Sequence, residues 1–220
     1  LSTNGTDHAG QEELLAHTHL QSALEGNLDA FNKLVTTYEQ RVYNLCYRML
    51  GDPEAAADTT QDAFLNCWRS LARFRGPKDE GELAASFRAW LFRIAANACY
   101  DVLRQRKRRP TSSLDQQIEL AGEREFASLG FTSLHGDEPE ASALRSELSR
   151  EIQRSLVQLA EDQRLALILC DVQGFSYEEI AVITSSSLGT VKSRISRGRS
   201  KMRDLLLERG VRLPTDRQKR

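Results

Sequence analysis

Between residues 189 and 203 the chain carries Lys192, Arg194, Arg197, Arg199, Lys201 and Arg203 and no carboxylate. Val191, Ile195, Met202 and Leu205, with Gly198 in the same row, recur at helical spacing through this stretch, so the segment reads as a basic amphipathic helix. Ser187 is placed to cap it, which starts the helix at Leu188. Just upstream, Ser176 followed by Glu179 fits a capping box, in which hydroxyl and carboxylate each satisfy an orphan backbone N–H. That places another helix start at Tyr177, with Ile180, Ala181 and Ile183 as its apolar face and Ser185–Ser187 as a polar break. A short helix, a tight turn and a basic second helix form a helix-turn-helix, whose second helix enters the DNA major groove. The rival reading of the segment alone is a solvated basic helix packed on a partner.

Net charge does not announce a nucleic-acid partner, since 30 basic residues face 31 acidic ones. The distribution does. Cations crowd into residues 104–109 and 192–220, whereas residues 114–147 hold eight carboxylates against Arg124 and Arg145. Such segregation points to surfaces with different partners. Residue patterns exclude several classes. There is no run of about eighteen apolar residues and no signal-peptide pattern, so a cytoplasmic protein without membrane contact of its own is expected. Cys46, Cys67, Cys99 and Cys170 share no metal-type spacing, and His8, His17 and His19 lack completing ligands. No cofactor or metal is expected, and with no nucleophile–base set or phosphate loop neither is an enzyme.

The rest of the chain reads as helices. A tail precedes a short helix over residues 13–25, ended by Gly26. Phe31, Leu34, Val35, Tyr38, Val42, Leu45, Cys46 and Met49 give a long amphipathic helix, which Gly51 ends. Asp52 and Pro53 begin the next, which runs to Phe74 with Ala56, Thr60, Ala63, Phe64, Cys67 and Leu71 inward. A loop over residues 74–85 leads to a third long helix, residues 86–108, with Phe87, Trp90, Leu91, Ile94, Ala98 and Val102 along one side. Residues 110–139 lack periodicity and read as an acidic linker, with a short helical piece over 114–120. Helices over 140–159 and 161–172 then precede the helix-turn-helix. The expectation is an all-α chain of two small helical domains: extension 1–26, first domain 27–109, linker 110–139, second domain 140–208 and basic tail 209–220.

Four stretches in this order, AADTTQDAFLNCWRSLARFRG, FRAWLFRIAANACYDVLRQRKRR, FSYEEIAVI and GTVKSRISRGRSKM, resemble the extracytoplasmic-function (ECF) sigma factors, the compact two-domain class of the bacterial sigma-70 family. The resemblance implies a promoter-specificity subunit. Its first domain would dock on the β′ coiled coil of core RNA polymerase and read the −10 element. Its second would contact the β flap and read the −35 element. An anti-sigma factor is the further partner implied. Residue by residue, Asp58, Gln61, Asp62, Asn66 and Arg69 match the polymerase-binding helix face. Phe74, Arg75, Asn97, Arg104, Arg106, Lys107 and Arg108 match the −10 region. Tyr177, Glu178, Lys192, Ser193, Arg194, Ser196, Arg197 and Arg199 match the −35 region, where Arg or Lys reads guanine edges. Phe87 and Trp90 are read as core rather than base-stacking residues. The chain departs from the family pattern with Thr59 for Leu, Thr184 for an aliphatic residue, Ser185 for Gly and Gly198 for Ala. Those departures bear on stability, since none faces DNA. The alternative function is a helix-turn-helix regulator that binds duplex DNA without joining polymerase.

Overall fold

The computed structural model describes residues 18–77, 79–108 and 139–211, and every regular element among them is helical. After a helical segment at residues 18–24 come α1 (Leu28–Leu50), α2 (Pro53–Ser70), a 3₁₀ turn (Leu71–Arg73) and α3 (Glu80–Arg108). The second domain is α4 (Pro139–Val157), α5 (Glu161–Leu167) running into a π-helical turn (Ile168–Val172), α6 (Tyr177–Thr184) and α7 (Leu188–Glu208). The expected linker, its short helical piece and the tail beyond 211 lie outside the described residues.

The boundaries follow from local chemistry. Asn27 caps α1 through the N–H of Ala30, and Gly51 ends it in the left-handed region at φ 73°, donating to the Tyr47 carbonyl. There a side chain is barred twice, because a Cβ would also meet Val157 Cγ1 at 2.8 Å. Asp52 Oδ1 accepts from the amides of Glu54 and Ala55 at 3.0 and 3.2 Å, with Pro53 at the first helical position. Helix α3 starts at Glu80 rather than at 86, so the loop after the 3₁₀ turn is shorter than the periodicity indicated. On α2 it is Thr59, not Thr60, that is fully inward, its hydroxyl donating to the Ala55 carbonyl. The threonine satisfies itself locally and can stand where leucine is common.

Helices α1, α2 and α3 enclose one core around Leu34, Leu45, Met49, Ala63, Cys67, Leu91 and Cys99. Burial pushes the Cys67 thiol up to about 12, so it behaves as a small hydrophobe. The same buried cluster continues into the second domain around Leu165, Ile168, Ile180, Val191 and Ile195. The two domains are packed against each other, α1 against α4 and α5, and α3 against α6. Helix α3 can do this because it has a second apolar row, Ala89, Phe92 and Ala96, all buried. That row lies beside the Phe87–Leu91–Ile94 stripe and was not distinguished from it by periodicity.

Candidate promoter and polymerase interfaces

The helix-turn-helix is built as its caps require. Ser176 Oγ accepts from the Glu179 amide at 3.2 Å, and Glu179 Oε2 accepts from the Ser176 amide at 2.7 Å. Ser185 occupies the left-handed region at φ 49° and ψ 43° in the turn, and Ser187 caps α7 through the Thr190 amide at 3.2 Å. Burial of Val191, Ile195, Gly198 and Leu205 fixes the rotation of α7. Gly198 lets α7 approach α5, since a Cβ there would sit 3.3 Å from the Gln163 carbonyl oxygen.

With that rotation, Lys192, Ser196 and Arg197 are exposed and Ser193 half-buried, its hydroxyl donating to the Thr190 carbonyl. Arg194, half-buried, and Arg199, exposed, are each paired with a carboxylate of the same domain. Arg194 is bound by the Asp162 carboxylate and donates to Ser186 Oγ at 2.7 Å. Arg199 forms a two-point contact with Asp171 at 2.5 and 3.1 Å, which raises its pKa further. These two cations fasten α7 to α5 and the π turn, while Lys192 and Arg197 project outward. Glu178 is exposed and Tyr177 half-buried at the start of α6.

On the first domain Asp58, Gln61, Asp62, Asn66 and Arg69 are all exposed on α2, which forms a ridge between two grooves. One groove, of about 570 Å³, runs between α1 and α2 and is lined by Phe31, Val35, Phe64, Leu65, Trp68 and Gln61. The other is polar, with Asp62 and Asn66 across from Asp101, Arg104 and Arg108 of α3. Leu65 and Leu28, which border the apolar groove, are 44% and 54% exposed. Sequence reading passed over both, although Leu65 falls out of phase with the buried row of α2.

The −10 residues divide. Arg75, Asn97, Arg104, Lys107 and Arg108 are exposed. Arg106 is half-buried, donating to the Leu50 carbonyl and pairing with Asp52, each at 3.0 Å, so it ties α3 to the α1–α2 junction. Phe74 requires a correction: it is 8% exposed and packs on Phe87 and Trp90 at 5.9 and 5.1 Å between ring centroids. An aromatic there gains more from a three-ring cluster than from water, so Phe74 supports the loop from below. Gly76 lies over this cluster, where a Cβ would clash with Leu83 and Phe74.

Comparison with known proteins decides the family. Residues 34–109 match sigma-70 region 2, and residues 149–202 match sigma-70 region 4. The ECF RNA polymerase sigma factor SigW of Bacillus subtilis is 33% identical over 194 residues, covering 88% of this chain and 98% of SigW. The chain belongs to the ECF RNA polymerase sigma factors. The ECF RNA polymerase sigma-E factor of Escherichia coli is 35% identical over 188 residues, 86% of this sigma factor and 92% of that one. Among solved structures, CnrH in complex with the cytosolic domain of CnrY is similar with a TM-score of 0.58 and 27% identity, over 88% of this chain and 98% of CnrH. No helix among the described residues of the sigma factor is long and apolar enough to cross a membrane.

Proposed function

We propose that this sigma factor joins core RNA polymerase in the cytoplasm through the α2 ridge and reads two promoter elements, the −35 through α7 and the −10 through α3 and its preceding loop. The observation that carries the reading is the outward face of α7. Lys192 and Arg197 are exposed there with Ser193 and Ser196 between them, and small side chains between cations allow close approach to a groove. Base edges are read from this face, whereas Arg194 and Arg199 hold the helix at the required rotation and contribute to phosphate contact through their exposed edges. Arg104, Lys107 and Arg108 track the backbone of the −10 strand, and Arg75 and Asn97 flank the loop where an unpaired base is held.

For polymerase, Asp58 and Asp62 supply charge complementarity to a basic helical partner, and the apolar groove beside Gln61 and Leu65 supplies the buried area. CnrH is held by the cytosolic domain of CnrY, and we place an anti-sigma protein among the partners here as well. Runoff transcription by core polymerase on a pooled promoter library tests the reading. Transcripts that depend on this chain and share two upstream elements at fixed spacing are expected. Absence of any dependent transcript would overturn it.

A further inference from the structure

Each helix of the first domain buries one free cysteine in the core: Cys46 on α1, Cys67 on α2 and Cys99 on α3. Two of them are neighbours. The Cys46 and Cys99 thiols hydrogen-bond each other across the contact between α1 and α3. The Thr60 hydroxyl of α2 completes the cluster. It donates to the Ala56 carbonyl at 2.7 Å and is also within hydrogen-bonding reach of the Cys46 sulfur. For Cys67, by contrast, burial alone raises the thiol.

A single buried cysteine is a small hydrophobe and needs no further account. Two thiols in contact have a reaction open to them that packing does not require, oxidation to a disulfide. Here the partners are unequal. Hydrogen bonds from the Cys99 thiol and the Thr60 hydroxyl hold the Cys46 pKa below its ordinary value, against the effect of burial. Cys99 is pushed well up, first by its bond to Cys46 and then by burial. The Thr60 hydroxyl serves the Ala56 carbonyl while the thiol is protonated and can rotate to the sulfur when the thiolate forms. Negative charge therefore settles on Cys46, which makes it the nucleophile and leaves Cys99 to resolve.

Access decides whether such a pair reacts, because a thiol sealed in a core is inert. Thr60 lines the groove between α1 and α2, and so does Tyr43, three residues before Cys46. Cys46 thus lies one side chain beneath the groove floor. We propose that Cys46 and Cys99 form a redox-active pair, which a peroxide reaches through this groove and converts to a reversible disulfide. The Cys46 thiolate attacks one peroxide oxygen and the O–O bond breaks, leaving a sulfenic acid on Cys46. The departing hydroxide takes up the proton that Cys46 lost and becomes water. Cys99 sulfur then attacks Cys46 sulfur, the S–S bond forms, the S–O bond breaks, and hydroxide leaves with the Cys99 proton as a second water. Two thiols and one peroxide give one disulfide and two waters. Polymerase seated in the groove covers the route, so oxidation falls on the free sigma factor and spares the bound one. Only this shielding rests on the function proposed above.

The test exposes the full chain to hydrogen peroxide and follows it by intact mass and by peptide mapping without reductant. The expected result is the loss of two hydrogens, with the Cys46 and Cys99 peptides joined until dithiothreitol separates them. Cys67→Ala leaves this unchanged. Cys99→Ala stops at a sulfenic acid on Cys46, captured by dimedone, and Cys46→Ala leaves Cys99 reduced. Circular dichroism reports whether each alanine variant folds, and the wild-type map stands without them. A folded wild-type chain in which these two cysteines stay unjoined overturns the proposal. So does a disulfide whose formation accelerates with urea as steeply as global unfolding, because only the unfolded chain then reacts. With core polymerase the rate is expected to fall in proportion to the fraction bound, about tenfold when about nine-tenths is bound. An unchanged rate in the complex overturns the groove route. A chain that forms the disulfide when free but never binds polymerase defeats the sigma reading and leaves the redox pair intact.

Discussion

Ser185 is the one non-glycine residue at positive φ among those described. A side chain in the left-handed region costs about 1 kcal/mol relative to glycine, so Ser185→Gly is expected to stabilise the second domain by about that amount, visible as a rise in its thermal midpoint. Glu179 carries two tasks, capping α6 and meeting Arg88. Burial raises its pKa, but the Ser176 amide and the Arg88 guanidinium outweigh burial and hold it below the ordinary 4.5. The folded-state pKa is depressed, so the stabilisation is complete above pH 4.5 and fades as pH falls through the lower folded value. Acid titration followed by hydrogen exchange of the α6 amides checks this, with Glu179→Gln expected to flatten the profile. The capping box and the outward cations were legible from residue type and spacing alone. The Arg88–Glu179 pair and the burial of Arg164 were not, because each depends on a partner in the other domain or on burial that one-dimensional spacing cannot convey.

At the scale of elements, the crossing of α5 and α7 sets where Lys192 and Arg197 point. Gly198 sits at this crossing, 3.3 Å from the Gln163 carbonyl by its missing Cβ. Gly198→Val should therefore destabilise the domain by about 1–3 kcal/mol through overpacking, measured by urea denaturation, and should weaken −35 binding beyond the loss in folded fraction. Gly198→Ala tests the margin, since helix propensity favours alanine by about 1 kcal/mol while the contact opposes it. Ridge and groove on α2 make a second element-scale prediction. Leu65→Asp, at an exposed position, is expected to leave folding intact and reduce affinity for core polymerase at least tenfold, read by competition binding. Helices themselves were readable because each apolar row repeats at helical spacing. One boundary and one side chain differ for physical reasons: α3 begins earlier than its apolar stripe, at Glu80, and Phe74 reads as an exposed loop aromatic until its contacts with Phe87 and Trp90 are seen.

For the whole molecule, the function proposed above has two small domains become one promoter reader when polymerase fixes their separation. Both helical segments were legible in the sequence, matching sigma-70 regions 2 and 4, but not that they pack on each other. The second row on α3, Ala89, Phe92 and Ala96, consists of small residues and one phenylalanine, which are as common inside a domain as between two. The central claim is that α7 reads the upstream element through its outward cations while the first domain reads the downstream one independently. It is tested most directly by runoff transcription with core polymerase on a library randomised at both elements, comparing wild type with Arg197→Ala. The account predicts that preference relaxes at one position of the upstream element, by about 1–3 kcal/mol, and that downstream preference is unchanged. Altered preference at the downstream element, or none at either, would contradict it.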